Sequence, residues 1–391
     1  MTETAMAVPR LRVHADSDFG TFAGHWPRSR QMGDAACHVF QCAEVIEVWL
    51  DTLGRARGTR PVFVGVYDAA HRPIMLLALG IERRRGSRVL SFLDGTVFDY
   101  NQPIVFPTVS SIDAADRSMI WPAIVRALPP FDAAVLDKLP ERVGGLPNFL
   151  VQLGAVPAGQ SGHTMSLVGS GSELEARLPY RKVRNRLRRQ LSSLGPVAFR
   201  VAASAPEAEA LLRQVFALKA QQFRRTRVPG FGLPGKREFY LAATRLLACP
   251  ETVHVSALTV GDATIACHWG LVLHGRFYLL LTAYDEAWKR FSPGALHHEA
   301  LIRWCHARGM SSFDFGIGDE AYKAGYCDSS MPLYRLELPM SVMGRTYLAT
   351  ERLLIRLRAT RAWKRLRPLK WGIVDIVRDQ WRRLAPARPP P

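Results

Sequence analysis

The sequence predicts a protein of mixed α and β structure built by duplication, in which a helix, a three-strand antiparallel meander, a second helix and a further strand occur in that order twice within 391 residues. Two observations carry this reading. Apolar residues recur at helical spacing over residues 42–53 and again over 207–225, and each stretch precedes three short β-rich runs divided by turn residues. The length exceeds that of one ordinary domain, and a composition of 48% hydrophobic and 22% charged residues supplies enough apolar material for two cores.

The first 36 residues are mixed and polar and define no element. From 42 to 53, Val45, Ile46, Val48, Trp49, Leu50 and Leu53 mark one helical face. Strands are expected at 61–67, 73–82 and 88–93, then a helix over 116–128, an apolar run at 133–136 and a strand at 164–168. The second half opens with helices over 207–225 and 238–248. Strands at 252–260, 264–273 and 276–283 follow, joined by turns at Gly261-Asp262 and His274-Gly275. A helix over 294–307, a strand at 311–316 and a closing strand at 333–338 complete the second copy. The segment GSGSE around Gly169–Gly171 reads as the linker or a helix cap.

Lys and Arg number 52 against 34 Asp and Glu, a formal charge of +18, so an anionic partner or cosubstrate is expected. The six cysteines show neither zinc spacing nor a disulfide framework, which predicts reduced thiols and no metal. The first 20 residues lack the apolar core of a signal peptide, and no run of 18 apolar residues occurs. A cytoplasmic protein is expected.

The stretch 284–304, YDEAWKRFSPGALHHEALIRW, ends a strand in a basic loop and begins a helix at Ser292-Pro293-Gly294. Free N–H groups and the positive end of a helix attract phosphate, glycine admits a ligand to the backbone, and Lys289 and Arg290 add charge beside them. Residues 313–323, FDFGIGDEAYK, crowd two glycines, acids and a Tyr-Lys pair at the end of a strand. On that strand the two phenylalanines face one way and Asp314 the other, where it meets ligand or pairs with an arginine.

The block SPG, a helix of about fourteen residues, then FDFG-x-GDE-x-YK, resembles the CelD/BcsL group of GNAT-like acetyltransferases, relatives of the FemAB-type double-GNAT enzymes. The basic stretch 177–189, the helix 216–225 and the first-half segments 38–50 and 99–107 extend the resemblance over roughly residues 38–340. Tyr326 departs from the pattern, standing where tryptophan is common.

The resemblance implies an α+β protein of two tandem GNAT-like (acyl-CoA N-acyltransferase) domains, 38–168 and 172–342, followed by a basic helical tail over 343–391. It implies an acyl-CoA, such as acetyl-CoA, held as cosubstrate in a V-shaped opening between the third meander strand and the FDFG strand. The pyrophosphate is expected at Lys289, Arg290, Ser292, Pro293 and Gly294, with a backbone N–H polarising the thioester carbonyl. Tyr322 is the candidate acid for the leaving thiolate; Asp319, Glu320 or His268 is the candidate base; Asp314 and Lys323 are candidates for substrate contact. The acceptor implied is an amine or hydroxyl of a sugar, lipid or polysaccharide precursor, in cellulose or exopolysaccharide production. The FemAB relationship leaves aminoacyl-tRNA as an alternative donor, and a non-catalytic scaffold is the third reading.

Seven Lys and Arg lie between Arg177 and Arg189 without an acid, predicting a basic amphipathic helix. In the tail, Trp371, Val374, Val377, Trp381 and Leu384 form another helical stripe flanked by arginines. Contact with an anionic membrane at its inner face and packing on the body both fit this pattern.

Overall fold

In the computed structural model the residues described are 11–226, 230–247 and 250–360. Strand β1 (Leu11–Asp16) opens the chain in the region where the sequence defines no element. Helix α1 (Ala43–Trp49) buries Val45, Ile46, Val48 and Trp49, loosens into one π turn (Leu50–Gly54), and ends as α2 (Arg55–Arg57). Gly58 closes it with φ +62, in the left-handed region where glycine carries no steric cost. The meander comprises β2 (Arg60–Asp68), β3 (Pro73–Arg84) and β4 (Ser87–Phe92), with the short β5 (Ile104–Val105) on β3. Asp113 caps α3 (Ala114–Ala127) by accepting from Asp116 N. After β6 (Ala133–Pro140) come the small hairpin β7 (Arg142–Val143) and β8 (Leu146–Pro147), α4 (Phe149–Gln152) and β9 (Val156–Ser166).

Ser170 and Glu173 form a capping box at the start of α5 (Gly171–Arg177), so the GSGSE segment is a helix cap. The basic stretch is not one helix: Leu178 and Pro179 leave helical geometry, Tyr180 takes φ +54, and α6 (Arg181–Ser192) begins anew. Strand β10 (Val197–Val201), another element without a sequence signal, precedes α7 (Ala205–Thr226) and α8 (Lys236–Leu246). The second meander is β11 (Val253–Val260), β12 (Ala263–Leu273) and β13 (Arg276–Tyr284). Gly261, His274 and Gly275 all have positive φ, as tight hairpins of right-handed twist require. Helix α9 (Pro293–Ala307), β14 (Ser312–Ile317), β15 (Ser329–Pro339) and α10 (Val342–Ala359) finish the described chain.

The two copies join in one sheet of order β1-β2-β3-β4-β6-β15-β9-β14-β13-β12-β11-β10. That order is symmetric about its centre. In each copy a four-strand antiparallel run leads to one parallel pair, β4 with β6 and β13 with β14. The last strand of each copy crosses over: β15 pairs β6, β9 pairs β14, and the two pair each other. Strand pairing therefore crosses the division that the sequence draws at 168–172.

Helices cover both faces of the sheet, which is why every residue of β11 is buried. On one face Phe40, Trp49 and Leu53 share a core with Leu212, Phe216, Phe239, Trp269 and Leu281, so the two copies are fused by apolar packing as well as by strands. The opposite face holds separate cores beneath α3 and α9.

Ser341 caps α10, whose Tyr347 and Leu348 pack on Val89, Ala133 and Val135 of the first copy. Gly344 permits that seat, since a Cβ there would lie 1.7 Å from Asp132 O. The start of the tail thus packs on the body, while the stripe from Trp371 to Leu384 lies outside the described residues. No helix among the described residues is long and apolar enough to cross a membrane.

Candidate active site

Strands β13 and β14 pair only where Arg276, Phe277 and Tyr278 face Ser312, Phe313 and Asp314. Beyond that point they part, for two local reasons. On β13 the register to β12 shifts between Trp269 and Gly270, so that Leu280 is an extra residue with no partner, a bulge that bends its strand and frees backbone groups. On β14, Gly316 takes φ +71 and turns the chain away. The result is a V-shaped opening between the two strands.

The first copy has a corresponding divergence after Val89 and Leu90 meet Ala133 and Ala134, but its register from β3 to β4 is continuous, without a bulge. Its opening is also filled. The loop after β4 lies along β6, with Asn101 N donating to Lys138 O at 3.1 Å and Lys138 Nζ donating to Phe98 O at 2.5 Å.

At the wide end of the second opening stands the start of α9. Pro293 occupies its first turn, as the sequence suggests, but Ser292 does not cap it: with φ +49 and ψ +52 the residue is left-handed, whereas a side-chain cap needs extended backbone. The first-turn N–H groups therefore receive no oxygen from the Ser292 side chain, and none from another side chain among the described residues. A Cβ on Gly294 would meet only Tyr284, at 3.6 Å, so the backbone here is approachable. Lys289 and Arg290 are exposed on the preceding turn, Lys289 3.6 Å from Glu286 and Arg290 stacked over Phe291.

The other expected residues separate into several roles. Asp314 is wholly buried; Oδ1 accepts from Tyr100 Oη and Gly316 N, and Oδ2 accepts twice from Arg276, so all its acceptor positions are used by the protein. Lys323 is likewise buried and donates to the carbonyls of Gly316, Ile317 and Gly318 while pairing with Glu320 at 2.8 Å. It fixes the turn that ends β14. Burial pushes the Glu320 carboxyl up, but the hydrogen bond and charge of Lys323 outweigh it and hold the group below its usual range. Asp319 is exposed, like Glu320, and pairs with His163 Nε2 at 2.9 Å.

Tyr322 is partly exposed, stacks on His298 and meets the edge of Phe315, on the α9 side of the opening. Burial of its ring raises its pKa, with the Glu320 charge adding to the effect, so the phenol keeps its proton at neutral pH. His268 has no exposed surface. It lies beneath α9 among His254, Phe277 and His297, with neither ring nitrogen partnered among the described residues. Burial holds it neutral, pushing its pKa well below the usual value.

Several residues at the opening were not singled out by the sequence. Asp99, from the first copy, reaches its vertex: Oδ2 accepts from Ile317 N at 3.3 Å, and a Cβ on Gly316 would lie 2.3 Å from it and 3.4 Å from Leu279 O of the facing strand. Burial, opposed by Lys138 and reinforced by the Asp314 charge, raises this carboxyl to about 6. Lys219 of α7 donates to Thr282 O on β13 at 3.0 Å, and burial lowers its pKa. No spacing rule reveals such partners, because 214 residues separate Tyr100 from Asp314.

Residues 180–324 match the family described as Acetyltransferase (GNAT) domain. No curated protein matches the chain. Among solved structures, FemX overlays with a TM-score of 0.51 at 9% identity, covering 78% of this chain and 93% of FemX. The C-terminal domain (DUF2156) of a protein assigned as a lysylphosphatidylglycerol synthetase from Agrobacterium fabrum gives a TM-score of 0.49 at 14% identity, covering 80% of this chain and 97% of its own. A tandem GNAT protein of the clavulanic acid biosynthesis pathway gives 0.44 at 11% identity, covering 84% and 98%. The chain is a mixed α/β protein of two tandem GNAT-like units, and residues 180–324, within the second unit, match the acetyltransferase (GNAT) domain family.

Proposed function

We propose that the chain transfers an acetyl or longer acyl group from acyl-CoA to an amine or hydroxyl of a sugar, lipid or polysaccharide precursor, in the second copy. The observation that carries this reading is the bulge at Leu280, which falls where β13 leaves β14 and where a free backbone N–H meets a thioester carbonyl. The pyrophosphate lies against the uncapped start of α9, with Lys289 and Arg290 beside it. The first copy, lacking a bulge and filled by its own loop, serves as structure and as the source of Asp99.

Attack of the acceptor on the thioester carbon forms the new C–N or C–O bond and expels the CoA thiolate. The acceptor's proton passes to a carboxylate at the opening. Asp99 is the best suited, since its raised pKa lies near neutrality while Glu320 is held ionised by Lys323. Tyr322, on the opposite face, donates the proton that the thiolate takes up. His268, enclosed in the core, plays no part in this scheme.

Incubation with isotope-labelled acetyl-CoA and, separately, with labelled aminoacyl-tRNA tests the donor. Binding of the CoA thioester and its loss on Gly294→Leu support the reading. Transfer from aminoacyl-tRNA with no affinity for acetyl-CoA or longer acyl-CoA overturns it.

A further inference from the structure

On the α1 and α7 side of the sheet, at the closed end of the opening, two adjoining cavities of about 270 and 230 Å³ share His38, Gly144 and Arg276 as walls. Together they reach the lower range of small-ligand sites, about 300–1,000 Å³. Both copies build them: His38, Tyr100 and Arg142 come from the first, Arg276, Tyr278 and Ser329 from the second.

Arg276 is the centre of this site. Its Nε and Nη2 are fixed on Asp314 at 3.1 and 2.5 Å, and its guanidinium lies 5.8 Å from the Tyr100 ring centroid and 5.3 Å from that of Tyr278. Nη1 donates to no described residue, while 28% of the side chain is exposed, toward the cavities. The frame behind it is rigid: His38 is buried, stacks on Tyr100 at 4.4 Å and shares a hydrogen bond with Tyr278 Oη at 3.0 Å. Burial, with the Arg276 charge adding, keeps His38 neutral. Arg142 stands exposed on the rim, its Nη2 donating to Gly145 O, with no carboxylate in ion-pair range among the described residues. Asp314 balances Arg276, so Arg142 leaves the site with one positive charge in excess. A planar guanidinium held on one edge and open on the other is suited to oxygen anions.

We propose that these cavities bind a small acidic molecule of about monosaccharide size, its carboxylate or phosphate held between Arg276 Nη1 and Arg142 and its body against Met331 and the wall of His38 and Tyr100. Asp99 lines neither cavity, so binding here is measured without an acyl donor.

Calorimetric titration of the full-length protein with glucuronate, glucose 6-phosphate and glucose, without any acyl donor, tests it. At least one acid is expected to bind, and glucose at least tenfold more weakly. The comparison of the two acids tells carboxylate from phosphate. Ser329→Trp, at an exposed edge of the cavity, should weaken binding tenfold or more. Arg142→Gln, on the surface, should weaken it several-fold and reduce its salt dependence. Failure of both acids to bind at millimolar concentration, glucose binding as tightly as the acids, or unchanged affinity in both variants overturns the proposal.

Discussion

Acid should destabilise this protein above the pH at which ordinary carboxylates protonate, because several of its histidines are stored neutral in the core. Burial, with Arg308 nearby, depresses His254 from 6.5 to about 3, and burial, with Arg184 and Lys323 nearby, takes His298 to about 4. A histidine depressed in the folded state binds more protons when unfolded. Its contribution is therefore complete above pH 6.5 and lost as pH falls below it. At pH 5 protonation favours the unfolded form over the folded one by a factor of about 10^1.5 at each site, or about 2 kcal/mol per histidine. Asp99 acts in the opposite sense. With its carboxyl raised from 3.8 to about 6, folding is favoured by about 1 kcal/mol as that group takes up its proton by pH 5. The balance is a loss of about 3 kcal/mol between pH 7.5 and 5 from these three groups, a large part of a typical 5–15 kcal/mol. His38, His268 and His297, all depressed by burial, add to the same trend.

Urea titration at the two pH values measures this directly. The ring nitrogens of His254 have no partner among the described residues, so His254→Phe should remove titration without removing a hydrogen bond. Its pH 7.5 to pH 5 difference should be smaller than that of the native chain by about 2 kcal/mol. Equal stability at both pH values, or the same pH dependence in His254→Phe, refutes the reasoning.

Other expectations follow from single residues. Glu299 is buried and receives Arg184, Arg188 and Arg303, so Glu299→Ala, which strands the buried Arg184, should cost about 3–5 kcal/mol by chemical denaturation. Gly294→Leu, where a Cβ makes only an ordinary contact with Tyr284, should leave the melting temperature in place and lower acyl-CoA affinity at least tenfold by calorimetry. Gly316→Ala should cost about 1–2 kcal/mol from its left-handed backbone alone, and more because the new methyl displaces Asp99; unchanged stability and rate would show that the vertex is looser than it looks. Tyr322→Phe should reduce turnover about 10² to 10⁴-fold with donor affinity unchanged, measured by release of free CoA thiol.

Much of this architecture is legible from residue order because helices and hairpins are local. The apolar stripe of α7, the alternations of both meanders, the glycine turns at 261 and 275 and the Pro293 helix start each depend on neighbours a few residues away. The duplication follows from reading those local patterns twice. Edge strands β1 and β10 are weak in the sequence for different reasons: β1 alternates, with Leu11, Val13 and Ala15 turned to the core, but in one short run ahead of the repeated order, and β10 is half-exposed without clear alternation. Ser292 was legible as a helix start but not as an uncapped one, since its backbone angle is set by the loop before it. The exchange of β9 and β15, the bulge at Leu280, and the meeting of Asp99 with Gly316 or Arg276 with Asp314 and Tyr100 were decided only in three dimensions. Such contacts join residues far apart in the chain through burial and the matching of charge, and neither leaves a periodic mark on the residues between them.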